Sequence, residues 1–113
     1  LCGDGLVAAL ALCRVLLESR RPLRELCAGI PLFPQGTANL KVAEKIPLEN
    51  CPALSQTIQE LETELSKDGR VMARYSGTEP KLRLLVEADT QQKVDTALER
   101  LKAACAQDLS VVN

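Results

Sequence analysis

The chain has 113 residues, with 14 lysines and arginines against 15 aspartates and glutamates, so its formal net charge is −1. That balance excludes a global field that would attract nucleic acid or an anionic membrane, and any anion site must therefore be local. The length allows one domain with its own core and a leftover piece of a neighbouring domain, but not two full domains.

The five cysteines are widely spaced, include no Cys-x-x-Cys pair and have no histidine to complete a metal set. This pattern argues against a zinc site and favours free thiols in a reducing, cytoplasmic setting. No apolar stretch approaches the ~20 residues of a membrane span, and the start at Leu1 suggests a piece of a larger soluble protein. The cysteines are Cys2, Cys13, Cys27, Cys51 and Cys105, of which Cys13 and Cys105 fall on apolar faces of predicted helices.

Residues 1–30 are predicted to be the helical tail of a preceding domain and a linker. Asp4 is suited to cap a helix whose apolar positions recur at helical spacing to about Arg20. The apolar arc is wide, so we expect another part of a larger protein to cover it. Pro22 then begins a short second helix that ends near Gly29.

Residues 31–113 are predicted to form the main domain, entered through an extended, proline-containing connector at 30–34. A strand is expected from Gln35 to about Ile46, with Gly36 marking a bulge. A helix follows from Pro52 to residues 68–69, where an Asp-Gly pair turns the chain.

In residues 70–75 and 81–87 apolar and charged side chains alternate, which predicts two half-buried strands. A last helix begins near Asp89 or Thr90 and carries an unbroken apolar stripe to Cys105. The order strand, helix, strand, strand, helix indicates an α+β fold, a small and mostly antiparallel sheet covered on one face by two helices. Residues 109–112 could supply a fourth strand.

The loop between the two central strands has the composition of an anion clamp. Ser76 and Thr78 supply hydroxyls, and Gly77 is expected to let the backbone turn so that consecutive N–H groups converge. Strand alternation places Arg74 and Arg83 on the face away from the core, at the mouth of the loop. The alternative is an ordinary hairpin with a polar turn and solvated charges.

For catalysis, the sequence offers no convincing nucleophile paired with a base, because Ser76 has no histidine to activate it. It also lacks the lysine-containing phosphate loop of nucleotide hydrolases. Asp4 is interpreted as a helix cap and not as a magnesium ligand, because a magnesium loop would bring several carboxylates together. We therefore expect no catalytic and no metal-binding residues.

Residues 69–87 resemble the C-terminal domain of the α-D-phosphohexomutases, with the loop matching its phosphate-binding signature. The resemblance also covers the run 34–42 and the Gly-Asp-Gly-Leu at 3–6, a motif that in this family closes the third domain and whose helix leads into the fourth. The Ser-Gly-Thr-Glu-Pro sequence is most similar to the phosphoglucosamine mutase branch, with the phosphomannomutase and phosphoglucomutase branches as the alternative. Tyr75 departs from the family pattern, in which a smaller residue, proline or lysine is expected.

The resemblance implies a four-stranded, TATA-box-binding-protein-like fold and a part of an isomerase. Such enzymes move a phosphoryl group between the 1- and 6-positions of a hexose through a phosphoserine and Mg²⁺ that lie in earlier domains. The C-terminal domain holds the phosphate that is not transferred and closes the cleft, so this fragment alone is expected to be inactive and without a cofactor. The implied partners are the phosphosugar and the preceding domains, and the implied phosphate-binding residues are Arg74, Ser76, Gly77, Thr78 and Arg83.

Two other classes of function compete with this interpretation. Small α/β sandwiches can present a sheet to RNA, but stacking platforms need aromatic residues, and the chain has only Phe33 and Tyr75. A purely structural or dimerising domain would account for the apolar first helix. Sulfate or phosphate bound at residues 76–78 would distinguish an anion site from a structural domain, and an RNA titration would test the RNA-binding alternative.

Overall fold

The computed structural model describes residues 3–30 and 32–112. Cys2 and Pro31 lie outside the described residues, and so do the expectations that rest on them, a free Cys2 thiol and the middle of the connector. The chain divides into two compact units, Leu1–Leu32 and Phe33–Asn113. No helix built from the described residues combines the length and the apolar character that crossing a membrane requires.

The first unit consists of helices α1 (Gly5–Ser19) and α2 (Leu23–Leu26). The predicted cap at Asp4 is confirmed, because its carboxylate accepts the N–H groups of Leu6 at 2.9 Å and Val7 at 3.3 Å. Helix α1 ends where Arg20 adopts the left-handed conformation, with φ of 52°, and donates its N–H to the Leu16 carbonyl oxygen.

No residue of α1 is buried, although most of its side chains are apolar. Leu6 is 71% exposed and Leu17 is 78% exposed. Cys13, expected on an apolar helix face, is also exposed. Cover for this helix by an additional part of a longer protein stays a prediction.

The second unit is an antiparallel sheet with helices packed on one face, which confirms the predicted α+β class. The strand order is β2-β3-β1-β4, and every adjacent pair is antiparallel. Helix α4 packs on β1 and β3, while α3 packs on β2 and α4. The strands are β1 (Gln35–Val42), β2 (Arg70–Tyr75), β3 (Lys81–Glu87) and β4 (Val111–Val112), and the helices are α3 (Pro52–Leu65) and α4 (Gln91–Asp108), with 3-10 helices at Leu48–Asn50 and Ser66–Asp68.

Two strand details differ from expectation. Strand β1 ends at Val42 and does not reach Ile46. The reason is the length of its partners: β3 begins at Lys81, opposite Lys41, so little of the sheet remains for residues 43–46 to pair with. The fourth strand does form, as the two-residue β4 against the end of β1.

The predicted alternation fixes which face of the hairpin is buried. Leu82, Leu84 and Val86 of β3 are each at most 1% exposed and lie in the core with the inner faces of α3 and α4. Every second residue of β3 therefore faces the helices, and the residues between them face away. This places the charged side chains of the hairpin on the open face of the sheet.

Gly36 is not a bulge. It pairs in regular register with Val86, and a Cβ atom built on it would lie 2.6 Å from both Leu98 and Val94. Both neighbours belong to the buried core, so they have little room to withdraw. Glycine at this position lets α4 approach β1 more closely than any other residue would allow.

Two buried cysteines fill the end of the core near the start of α3. Burial raises the pKa of the Cys105 thiol to about 11, and the neighbouring Cys51 and Asp108 act in the same direction. A thiol in this environment stays neutral and packs as a small apolar group. Asp108 also accepts the N–H of Leu54 at 2.8 Å, so it ties the end of α4 to the first turn of α3.

We predict that Gly36→Ala lowers the free energy of unfolding by roughly 1–3 kcal/mol, the usual effect of overpacking a core. Alanine would normally stabilise a strand relative to glycine by about 0.5–1 kcal/mol, but the contacts with Leu98 and Val94 outweigh that gain. Urea denaturation followed by circular dichroism measures the difference. Gly77→Ala is the matched control, because a Cβ atom there meets nothing within 4 Å, and it should cause no loss. Equal stability of the two variants would contradict the prediction.

Candidate functional site

The loop of residues 76–80 joins β2 to β3 at one end of the sheet. The Ser76 N–H donates to the Lys81 carbonyl oxygen at 2.8 Å, which closes the loop. At the exit, the Pro80 carbonyl oxygen accepts from the Val42 N–H at 2.9 Å. The loop is therefore attached to the end of β1 as well as to its own hairpin.

Arg74 and Arg83 lie directly opposite each other in the β2–β3 register. Directly opposed side chains on one face of an antiparallel pair have Cβ atoms about 4.5–5.5 Å apart. The prediction that both arginines leave the core face is confirmed by this register, and both are exposed. Among the ion pairs formed by the described residues, none includes Arg74 or Arg83.

Ser76 is the buried polar residue of the loop, only 5% exposed. Its hydroxyl oxygen accepts a hydrogen bond from the Arg83 guanidinium at 3.2 Å. Because the Ser76 oxygen is the acceptor in this bond, the Ser76 hydroxyl proton remains free to be donated to another group. Ser76 and Arg83, predicted to share a ligand, are in direct contact.

The amide N–H groups of Gly77 and Thr78 are the remaining donors of the loop. In the described part of the chain, neither N–H donates to a backbone or side-chain acceptor. No described glycine has positive φ, so Gly77 does not supply a left-handed turn here. Its contribution is open space, because no atom would lie within 4 Å of a Cβ at this position.

Glu79 and Lys81 form a separate charge pair at the edge of the loop. The Lys81 ammonium donates to the Glu79 carboxylate at 2.8 Å and lowers the pKa of that carboxyl, and the charge of Arg83 adds to the effect. Because Glu79 balances Lys81, the positive character of the loop derives mainly from the two arginines and from Lys45.

Lys45 and the sheet residues beside the arginines were not predicted from the sequence. The Lys45 ammonium donates to the Ser76 carbonyl oxygen at 2.6 Å, from the segment that follows β1. No periodicity marks a contact between positions this distant in the chain. Asn39, in contrast, lies opposite Arg83 on β1, and the polar positions of that strand's outer face could have indicated it.

A shallow hollow of about 250 Å³ extends from the arginines across the open face of the sheet. Its walls are polar on the β1 side and apolar toward the far end of the hairpin. The hollow is lined by Thr37, Asn39, Met72, Arg74, Arg83 and Leu85, among others. The arrangement can hold an anion at the loop and a further polar group beside it, but it offers no nucleophile with a base.

The donor set does not fit a metal ion. Within the described ranges, no group of three or more histidine, cysteine, aspartate or glutamate side chains comes together to hold one. Mg²⁺ prefers carboxylate and carbonyl oxygens, whereas this loop offers N–H groups, a hydroxyl and guanidiniums. These donors suit an anion better than a metal cation.

Comparison with known proteins gives consistent matches. Residues 38–104 match the family described as phosphoglucomutase/phosphomannomutase, C-terminal domain. The chain is 45% identical over 108 residues to the phosphoglucosamine mutase of Lawsonia intracellularis, covering 96% of the chain and 24% of that relative. It is 39% identical over 109 residues to that of Leuconostoc citreum, with the same two coverages, 96% and 24%. The chain thus spans about a quarter of the length of these curated relatives.

Solved structures give the same fold. The chain is similar to the crystal structure of Aspergillus fumigatus N-acetylphosphoglucosamine mutase in complex with GlcNAc-6P and magnesium, with a TM-score of 0.74 and 26% identity. That similarity covers 94% of this chain and 21% of the fungal one. The resemblance on which the sequence interpretation rests is confirmed at the level of family and fold.

We predict that Arg74→Gln raises the stability of the ligand-free chain by a few tenths of a kcal/mol at low salt, because it removes a like-charge cross-strand pair. The gain should shrink as salt screens the repulsion. Arg70→Gln is the matched control on the same strand, since Arg70 lies opposite Glu87 and its loss should lower stability instead. Thermal unfolding at low and high salt measures both the gain in stability expected for Arg74→Gln and the loss expected for Arg70→Gln. A loss of stability for both variants would show that the arginine pair is not repulsive.

Proposed function

Because this chain belongs to the family of phosphoglucomutase/phosphomannomutase C-terminal domains, we propose that its 76–80 loop binds the phosphate of a phosphosugar. Residues 31–113 would be the phosphate-binding domain of a longer enzyme, and residues 1–30 the tail of the domain before it. The reaction of that enzyme would interconvert glucosamine 6-phosphate and glucosamine 1-phosphate. The residues that hold the phosphate would be Arg74, Ser76, Gly77, Thr78 and Arg83.

The observation that carries this proposal is a group of donors at one loop that have no partner among the described residues. The N–H groups of Gly77 and Thr78, which follow Ser76 in the chain, donate to no protein acceptor there. Arg74 and Arg83 are opposed in the β2–β3 register, Arg83 contacts the Ser76 hydroxyl, and neither arginine forms an ion pair with a described carboxylate. A phosphate dianion satisfies the donors and relieves the repulsion between the arginines in one step.

The role of this loop in the reaction would be to position the substrate. Binding energy from a phosphate that does not react can orient the reacting end of the molecule, which raises its effective concentration at the catalytic group. A mutase must hold its substrate in two orientations, so a site that reads only a phosphate is more useful than one that reads the sugar. Closure of the domain over the cleft would then exclude water.

The sugar is proposed from the relatives, because the loop itself recognises a phosphate. The curated proteins with 45% and 39% identity are phosphoglucosamine mutases. Phosphomannomutase or phosphoglucomutase activity is the alternative within the family. The enzyme would work in the cytoplasm, in keeping with the free thiols of the described cysteines.

Magnesium would belong to other domains of the longer enzyme. The similar Aspergillus fumigatus enzyme was crystallised with magnesium. In the enzyme, the ion would supply Lewis-acid stabilisation of the transferred phosphoryl group. Since the described residues of this chain do not gather a metal-binding set, none of them is assigned to that role.

The nucleic-acid alternative finds no support in the position of Tyr75, one of the two aromatic residues of the chain. The Tyr75 ring packs against the core, and its hydroxyl donates to the Ile46 carbonyl oxygen at 2.7 Å. It is therefore not presented on the open face of the sheet, where a base would stack.

We predict that inorganic phosphate and hexose 6-phosphates bind the chain with similar, roughly millimolar affinity, near −4 kcal/mol. The site is open, so solvent and salt screen its charges, and affinity should fall as salt rises. Affinity should increase between about pH 5 and 7, because phosphate gains its second charge with a pKa of about 6 while the arginines stay charged. A titration followed by the amide NMR signals of residues 76–78 measures the affinity, its salt dependence and its pH dependence.

The controls for this titration are glucosamine and two Arg83 variants. Unphosphorylated glucosamine should leave the amides unshifted. Arg83→Ala should weaken binding more than Arg83→Lys, because lysine keeps the charge but lacks the planar, two-pronged contact with phosphate oxygens. Shifts of equal size with glucosamine, or shifts elsewhere in the chain, would mean that the loop is not a phosphate site.

We also predict that the 113-residue chain alone shows no mutase turnover with hexose phosphates and Mg²⁺. The site offers positioning donors but no nucleophile with a base. A coupled assay for product formation, with a full-length relative as the positive control, would test this. Turnover that co-purifies with the chain and disappears in Arg83→Ala would overturn the assignment of a purely positioning role.

A further inference from the structure

Lys45 contacts the loop of residues 76–80 on the side opposite to the N–H groups of Gly77 and Thr78, which have no protein acceptor among the described residues. The Lys45 ammonium lies 2.6 Å from the Ser76 carbonyl oxygen and 3.5 Å from the Gly77 carbonyl oxygen. We propose that Lys45 is a positioning residue: by holding these two carbonyl oxygens, it aims the N–H groups of Gly77 and Thr78 toward the phosphate. This inference rests on the proposed phosphate-binding function.

The geometry of the peptide group supports this assignment. In a trans peptide the carbonyl oxygen of one residue and the N–H of the next point in opposite directions. No described peptide bond is cis. Since Lys45 holds the Ser76 oxygen, the Gly77 N–H points away from Lys45, and the same relation connects the Gly77 oxygen to the Thr78 N–H. These are the two N–H groups without a protein acceptor.

The loop needs such a restraint because Gly77 has wide conformational freedom. Rotation of either peptide would turn a carbonyl oxygen, with its partial negative charge, toward the anion. An ammonium carries three donors and a compact charge, and it can hold both oxygens at once. Its charge also polarises the two peptides in the direction that strengthens their N–H groups as donors.

The segment that carries Lys45 is itself fastened to the loop on both sides. The Tyr75 hydroxyl donates to the Ile46 carbonyl oxygen at 2.7 Å, next to Lys45 in the chain. Burial raises the pKa of Tyr75, so the phenol keeps the proton it donates. The Val42 N–H donates to the Pro80 carbonyl oxygen at 2.9 Å. Hydrogen bonds at Val42, Lys45 and Ile46 therefore connect this segment to the loop and to Tyr75, the residue before it.

The first test uses the ligand-free chain and NMR relaxation. In wild type, the Gly77 and Thr78 amides should have order parameters near the rigid value of about 0.85, and in Lys45→Met they should fall toward 0.6 or below. The Ser76 carbonyl carbon signal should also move, because it loses a charged donor. Lys45→Arg, which keeps a charged donor, should restore both readouts in large part.

The second test measures binding of inorganic phosphate. Lys45→Met should weaken it about tenfold, as expected for the loss of an indirect charged hydrogen bond, while Lys45→Arg should stay within about threefold of wild type. Lys41→Met is the matched control, because it removes the same charge from the end of β1. Lys41 makes no side-chain hydrogen bond among the described residues, so its loss should leave the order parameters at their wild-type values and change the affinity by no more than about twofold.

The possible results separate the two proposals. Unchanged order and unchanged affinity in Lys45→Met would overturn the role of Lys45. Weaker binding with an ordered ligand-free loop would mean that Lys45 contacts the anion directly, which also overturns positioning. If wild type does not bind phosphate at residues 76–78, the proposed function fails, and the ligand-free order parameters alone decide whether Lys45 holds the loop. Thermal melts of each variant verify that all compared chains are folded.

Discussion

The opposed positions of Arg74 and Arg83 in the β2–β3 register are the constraint on which the candidate site depends. The register cannot slip without exposing Leu82, Leu84 and the rest of the buried face, so the core holds two like charges on neighbouring strands. Like charges at directly opposed positions are unfavourable. If the loop binds a phosphate dianion, as we propose, the dianion would remove that penalty, and part of the stability of the fold would become affinity for phosphate.

The remainder of the domain keeps this hairpin in place. Gly36 allows α4 to approach β1 closely, and β1 in turn pairs with β3 along most of its length. At the end of β1 the Val42 N–H binds the Pro80 carbonyl oxygen, so the position of the loop is coupled to the packing of a strand outside the hairpin. Contacts deep in the core can thus influence the donors at the surface without touching a ligand.

The sequence predicted what periodicity and local chemistry determine. Strand alternation gave the face of both arginines, and the capping residue Asp4 was correctly identified because caps act within one helical turn. The end of β1 was predicted too far along, because it is decided by the length of neighbouring strands. Lys45 was missed altogether, since its contact with Ser76 bridges segments that are remote in the chain and carries no periodic signal. The surroundings of Gly77 could not be predicted from the sequence: its φ is not positive, and a Cβ atom at this position would meet nothing within 4 Å.

Backbone donors would suit the positioning role that we propose for this loop. A long side chain loses rotamer freedom when it binds, whereas an N–H group already held in place loses almost none. This advantage requires a backbone that is kept from rotating, and the contacts of Lys45 and Tyr75 with the neighbouring chain are suited to do so. In the proposed site the two arginines would supply charge, and the amides held by these contacts would supply direction. A phosphate held in this way would be recognised by its own oxygens, so the sugar attached to it could be presented to the rest of an enzyme in more than one orientation.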